Sequence, residues 1–360
     1  MPDRAATVIP AGPTLSVVLP NYNHARYLPR ALDALLSQEL PADEIIVVDD
    51  CSTDASQEIV SRYEARYPSI RLVANEKNAG VIPTLSRGLS EARGVYIYFG
   101  AADDFVMPGF FATAIKMLQA FPQAGLFCGD AVLVDGNSGR PLGARPPARP
   151  RLSSGFIGPS EVMVLLRRND NYVITGAAVF RRDAVVSAGG FEDQLSSFAD
   201  GFLVRKIALT LGFCYAPITA LTWCVFPGSV SRTTSINNAR QILEKIETRL
   251  ASDAVFPMWY RRAFRRRWYF ATSRLAVQEE PINRVLLAEM GAQNATDRAV
   301  VDCILNTFGR KSARVLILAW LWLRLRPFSL ISLGTTVLAR YWTAIWFKIR
   351  SRTDANAAAV

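Results

Sequence analysis

The sequence predicts an α/β protein: a parallel, doubly wound sheet over residues 1–235, followed by a mainly helical region over 236–360. Three observations carry this prediction. Short apolar runs alternate four times with amphipathic stretches in roughly the first 110 residues. Polar side chains gather where those runs end. From about residue 236 the spacing turns helical and the composition turns basic and tryptophan-rich.

Each element has its own justification. LSVVL at 15–19 is a continuous apolar run, as a strand buried on both faces requires. Residues 28–36 then show helical spacing. EIIVV at 44–48 is a second buried strand, ending in Asp49 and Asp50. Ser52, Thr53 and Asp54 are capping residues ahead of a helix over 55–67. A third strand over 70–74 leads to Asn78, Ala79 and Gly80, and a helix over 82–92 stops before Gly94. The fourth strand, 95–99, closes on Asp103 and Asp104. Pro108 suits the first turn of a helix that reaches Phe121. A fifth strand over 127–134 and a Pro/Arg-rich surface loop over 140–151 follow. Helices over 160–168 and 198–211, with a strand over 176–180 between them, complete this part. Ligands of such sheets bind beyond the carboxyl ends of the strands, where Asn21, Tyr22, Asn23, Asp50, Asn78, Asp103 and Asp104 fall.

Composition excludes several chemistries. Half of the 360 residues are hydrophobic and a fifth are charged, so the chain can bury a sizeable core. The single histidine, His24, leaves no material for a His-based metal cage or a Ser-His-Asp triad. It stands at the start of a helix, where it is expected to hydrogen-bond backbone. Five scattered cysteines without a C-x-x-C pair read as buried thiols of a reducing compartment. The first thirteen residues hold no apolar run of signal-peptide length, so the expected location is the cytoplasm. Neither G-x-G-x-x-G after the first strand nor a P-loop is present.

The adjacent Asp103 and Asp104 admit two readings. Hard divalent cations take one or two carboxylates together with substrate phosphates, and such an ion neutralises charge developing on a diphosphate leaving group. An acidic pair ahead of a helix also serves its dipole. Asp50 has the same ambiguity. Asp130 reads as structural or as the edge of a sugar pocket. Glu192 and Asp193 read as an acceptor-side pair or a solvated turn.

The stretches SVVLPNYNHARYLPRALDALLSQ, EIIVVDDCSTDAS, NAGVIPTLSRGLSEARG, YIYFGAADDFVMPGFF and GGFEDQLSSFADGFLVRKI, in this order and spacing, resemble a family 2 glycosyltransferase over roughly the first 230 residues. The resemblance implies the nucleotide-sugar-binding fold called GT-A. It also implies a nucleoside-diphosphate sugar donor, usually a UDP-sugar, and a divalent cation, Mg²⁺ or Mn²⁺. The sugar would move with inversion to an acceptor hydroxyl on a glycan or lipid-linked molecule, in the building of a surface polysaccharide or other glycoconjugate. By the same resemblance Pro20, Tyr22 and Asn23 line the base pocket and Asp50 accepts a hydrogen bond from the base. Asn78 and Gly80 lie near the ribose and phosphates. Asp103 and Asp104 occupy the last two positions of a D-x-D-D metal motif. Asp200 is the general base. Three departures are visible, one of them Leu85-Ser86 where many relatives have Arg-Asn or Leu-Asn. Ala101 stands at the motif's first aspartate. In WCVFPGSVS (223–231), Cys224 and Phe226 stand where the family has an arginine and a histidine near the diphosphate, with Arg232 as a possible replacement. They raise the alternative of a nucleotide-sugar-binding protein without turnover.

The formal charge of +10 is unevenly placed. Residues 1–235 hold 21 Lys/Arg against 22 Asp/Glu, whereas 236–360 hold 20 against 9 and six of the seven tryptophans. The chain carries no nucleic-acid motif, so an anionic membrane is the expected partner of that charge. The apolar runs at 315–323 and 328–339 are each too short to span a bilayer. Arg261, Arg262, Arg265, Arg266 and Arg267, beside Trp259 and Trp268, offer a further basic patch. Interfacial helices meet these facts, as do amphipathic helices packed on the catalytic domain with a solvated basic face.

Overall fold

The computed structural model describes residues 14–145, 149–169, 172–226 and 238–330 and the isolated positions 334 and 338. The first half follows the predicted alternation. It runs β1 (Leu15–Asn21), α1 (Leu28–Leu36), β2 (Glu44–Asp49), α2 (Ser56–Arg66), β3 (Ile70–Ala74), α3 (Val81–Glu91) and β4 (Tyr96–Phe99). A short β5 (Phe105–Val106), α4 (Phe110–Ala120), β6 (Leu126–Asp135), β7 (Pro141–Arg145) and β8 (Gly155–Ile157) come next. Then follow α5 (Pro159–Arg168), β9 (Ala178–Arg181), α6 (Arg182–Ser187), α7 (Ala199–Leu211) and β10 (Phe213–Val225).

These strands form one mixed, mostly parallel sheet of order β3-β2-β1-β4-β9-β6-β10-β5, with β7 beside β6 and β8 beside β10. The pairs β1–β2, β1–β4, β2–β3 and β6–β10 are parallel. β9 runs antiparallel between β4 and β6, a departure from the purely parallel winding. The apolar runs of β1, β2 and β4 are buried on both faces, because helices cover each side.

Four local expectations are corrected, the first being that part of the surface loop expected over 140–151 is β7, paired antiparallel with β6. Pro108 lies outside its helix: α4 begins at Phe110, after Gly109 in the left-handed region at φ 75°. The strand expected over 176–180 opens as a 3₁₀ turn, Thr175–Ala177, before β9. The thirteen-residue β10, which the sequence reading left without a strand, is the longest in the sheet. Of the five thiols, Cys128, Cys214 and Cys224 are buried, Cys51 is half-buried and Cys303 is exposed.

After residue 238 come α8 (Ala239–Ser252), α9 (Met258–Gln278), α10 (Arg284–Met290), α11 (Ala295–Thr307) and α12 (Arg310–Leu325). These helices share one apolar core with the sheet: Val18, Phe99, Phe180, Phe202, Phe256, Phe264, Ile317 and Leu321 belong to a single buried cluster. Phe198 packs on Phe264 with ring centroids 4.7 Å apart, and Phe202 on Phe256 at 5.0 Å. Polar links cross the same boundary. Arg249 Nε donates to Glu192 at 2.8 Å, so Glu192 serves the packing of α8. Arg261, Arg262, Arg265, Arg266 and Arg267 of α9 do not form one patch. Arg267 is buried and donates to the carbonyls of Leu166, Arg167 and Pro327. Arg265 pairs with Glu247, and Arg261 bonds the Ala251 carbonyl. Arg262 and Arg266 face outward. Among the described residues no helix is long and apolar enough to cross a membrane. Trp342, Trp346, the end of the second apolar run and Arg232 lie outside the described residues.

Candidate active site

The parallel ladders continue past their strands and fix the loops at one edge of the sheet. Asp50 N–H donates to the Asn21 carbonyl, Asn75 N–H to the Asp49 carbonyl and Gly100 N–H to the Val18 carbonyl, at 2.8–2.9 Å. The loops after β1, β2, β3 and β4 therefore sit side by side. Three of the four non-glycine residues with positive φ among those described, Asn23, Cys51 and Ser196, lie in loops that flank the predicted site residues. Strained backbone of this kind collects at functional sites.

Asp49 and Asp50 differ in their surroundings. Asp49 is saturated: Asn21 Nδ2, Ser52 N–H, Ser52 Oγ and Gln57 Nε2 donate to it at 2.6–2.9 Å. It holds the β1 and β2 loops together. Asp50 Oδ1 accepts from Asn75 Nδ2 (2.7 Å) and Ala79 N–H (2.8 Å), and Oδ2 accepts from Gly80 N–H (2.8 Å). Burial alone raises its pKa, but the donors from Ala79, Asn75 and Gly80 outweigh it and hold the carboxyl below its ordinary value. Gly80, at φ 91° and ψ 167°, adopts a conformation that glycine alone takes readily, and this aims its N–H at Asp50.

The base-pocket candidates are split by the structure. Asn21 is buried, whereas Tyr22 is exposed and Pro20 half-buried. Asn23 Oδ1 accepts from Thr53 N–H at 2.7 Å, and Asn23 N–H donates to Ser52 Oγ at 2.9 Å, so its amide is spent on the loop after β2. Asn78 is exposed. His24 departs from expectation: its carbonyl accepts from Tyr27 and Leu28 N–H, while its buried ring Nδ1 has no partner among the described residues.

Asp103 and Asp104 stand at the carboxyl end of β4. Asp104 Oδ1 accepts the Cys224 N–H from β10 at 2.7 Å. Burial, and then the adjacent Asp103 charge, push its carboxyl well above the ordinary range, against the Cys224 bond and the Arg30 charge. The Asp103 carboxylate has no hydrogen-bond partner among the described residues. An acidic pair with so little compensation fits a hard divalent cation. Among the described residues no group of three or more His, Cys, Asp or Glu could hold a metal, so the remaining ligands would be phosphate and water.

Asp200 opens α7. Its Oδ2 accepts Thr175 Oγ1–H at 3.2 Å and its Oδ1 the Gly201 N–H at 2.6 Å. Thr175 is close to the start of β9, which runs antiparallel to β4, so Asp200 comes to the same edge as Asp103 and Asp104. The side chain keeps a solvent-exposed face, but the protein crowding its other sides desolvates it. That pushes its carboxyl up, opposed by Gly201, Arg205 and Thr175. Behind it, Phe198 is clamped by Phe264 and Trp268 of α9.

Asp130 is consumed by structure, accepting from Tyr215 Oη–H at 2.6 Å and Arg149 Nε–H at 2.7 Å. Sequence reasoning missed Arg30, Asn75 and Thr175. Asn75 follows a strand as the chosen residues do and was within reach; Arg30 and Thr175 carry no local signal.

Residues 16–187 match the model of glycosyl transferase family 2. An uncharacterized protein of Mycobacterium tuberculosis, MT1568, is 32% identical over 225 residues, covering 60% of this chain and 70% of that one. The succinoglycan biosynthesis protein ExoO of Rhizobium meliloti is 29% identical, covering 68% of each chain. Among solved structures, TarS 1–349 of S. aureus in complex with UDP-GlcNAc superposes with a TM-score of 0.61 at 15% identity, over 85% of this chain and 91% of that one. That likeness concerns the fold.

Proposed function

This chain belongs to glycosyl transferase family 2 and is a glycosyltransferase, and from that premise we propose that it moves a sugar, with inversion, from a nucleoside-diphosphate sugar to an acceptor hydroxyl in polysaccharide or glycoconjugate synthesis. The observation that carries the reading is the gathering of Asp50, Asp103, Asp104 and Asp200 at one sheet edge, each with a different environment. Asp50, held ionised at the end of β2, receives the N–H of the base, and uracil is the base we favour. The UDP-GlcNAc bound by TarS and the polysaccharide role in the name of ExoO support the donor class and the product class. Pro20, Tyr22 and Asn23 flank the base, and Asn78 and Gly80 the ribose and phosphates.

Asp200 is the general base. A carboxyl raised above its ordinary value is a stronger proton acceptor while still ionised, which suits abstraction of a hydroxyl proton as that oxygen attacks the anomeric carbon. Single displacement needs no enzyme nucleophile. Asp103 and Asp104 would hold Mg²⁺ or Mn²⁺, which when bound supplies positive charge to the departing diphosphate. The helices after residue 238 form the buttress behind Asp200 and give the protein a basic face for peripheral contact with the cytoplasmic side of a membrane.

Incubation of purified protein with UDP- and GDP-sugars, with and without Mn²⁺ or Mg²⁺, tests the reading. Donor turnover should fall about 10²–10⁴-fold in Asp200→Asn. The replacement of the family's arginine and histidine by Cys224 and Phe226 favours a second reading, donor binding without turnover. Equal, background rates for both proteins would establish it.

A further inference from the structure

The paired carboxylates have a cation beside them that comes from neither their own loop nor β10. Arg30, on α1, is exposed, and its Nη2 donates to the Asp103 carbonyl and to Cys224 Sγ, each at 3.2 Å. Its guanidinium lies over the Phe105 ring, 4.4 Å from the centroid. Three contacts from β4's loop, β5 and β10 thus fix one end of a side chain that would otherwise sample many rotamers. The other N–H groups, on Nε and Nη1, have no partner among the described residues. A planar guanidinium held this way is preorganised to bind oxyanions with its free edge. It pins the turn that presents Asp103 and Asp104, which puts its charge next to those carboxylates.

We propose that Arg30 is a donor-binding residue of this site, holding the diphosphate of the sugar nucleotide with its free N–H groups and filling the place left by the uncharged Cys224. The proposal rests on the donor reading above. It extends that reading to a residue from the first helix, and it explains how a site with Cys224 and Phe226 keeps a positive charge next to its leaving group. Cys224 serves as a surface against which the guanidinium lies, its side chain being buried.

Calorimetric titration of the full-length protein with UDP, GDP and the corresponding nucleosides, in Mn²⁺ or Mg²⁺, tests this. Arg30→Ala should weaken the bound nucleoside diphosphate about 10- to 100-fold and leave nucleoside affinity unchanged, because the nucleoside has no phosphate to lose. Arg30→Lys should retain part of the affinity. In the double variant Arg30→Ala/Cys224→Arg, a guanidinium returns to the same spot from the opposite side, and affinity should recover. A structural role alone would lower nucleoside and diphosphate binding together and would not be rescued from position 224. If the unaltered protein binds diphosphates and Arg30→Ala binds them equally well, the proposal is overturned and the donor reading stands. If the unaltered protein binds no diphosphate, the donor reading itself falls and takes this inference with it.

Discussion

Two acidic residues at this sheet edge show how position sets chemistry. Asp50 is buried yet held below its ordinary pKa, because Asn75, Ala79 and Gly80 aim N–H groups at it. Asp200 is pushed the other way, because the Gly201 N–H, the Arg205 charge and the Thr175 hydroxyl do not offset its desolvation. The second case carries a stability consequence. A carboxyl whose folded pKa exceeds its unfolded value of about 3.9 loses stability as pH rises from the unfolded pKa to the folded one. Above that window the folded state bears the full cost. Asp200→Asn removes the ionisation while its amide oxygen can still accept from Gly201. The variant should therefore melt above the parent at pH 7, with the difference shrinking as pH falls toward 4. Thermal unfolding across that range measures it. A variant less stable at pH 7 would mean that the charge is favourable in the fold, contrary to the direction inferred from burial.

At the scale of elements, periodicity made β1 through α3 legible nearly to the residue, because buried parallel strands and amphipathic helices leave plain apolar patterns. Aspartates at the strand ends were legible for the same reason. β10 was not: its run is interrupted by Pro217, Thr219 and Thr222, and its ladder with β6 shifts register at two points. Arg30 was hidden because an exposed arginine on an amphipathic helix looks like any solvated residue until the fold brings Asp103 and Cys224 to it. Links between the late helices were equally invisible. Asp297, buried near the start of α11, accepts Trp320 Nε1–H at 3.1 Å and Arg324 Nε–H at 2.9 Å from α12, and Asn294 Nδ2–H at 2.7 Å. Asp297→Ala leaves a half-buried indole N–H without an acceptor and should cost about 1–3 kcal/mol. Denaturant unfolding measures the loss. A change within 0.5 kcal/mol, about that of an ordinary surface substitution, would show that the two helices are held by their apolar contacts alone.

Across the whole molecule, the described part of the basic end is neither a free tail nor a uniform membrane face. Trp268 and Trp320 pack inward, with their indole N–H groups on Ala239 and Asp297, and Arg267 is consumed by three carbonyls. What remains outward is a smaller set. Met258, Trp259, Ala263, Arg262 and Arg266 line one groove, and Val285, Val315 and Leu323 are 79%, 68% and 60% exposed. Arginine beside exposed apolar side chains favours an anionic bilayer surface, with the apolar groups entering the headgroup layer and the guanidinium groups meeting phosphate. Because α8 to α12 share their core with the sheet, the fragment 236–360 would expose Phe256, Phe264 and their neighbours and would bind lipid for the wrong reason. The full chain is the proper test. It should float with vesicles containing phosphatidylglycerol and should stay behind with neutral ones. Arg262→Glu/Arg266→Glu should weaken flotation about tenfold or more, since each basic residue near such a surface contributes roughly 1 kcal/mol. Raised salt should do the same. Flotation unchanged by the charge reversal would place the contact elsewhere, and no flotation with anionic vesicles would leave the excess charge as a solvated face of helices whose work is to brace Asp200.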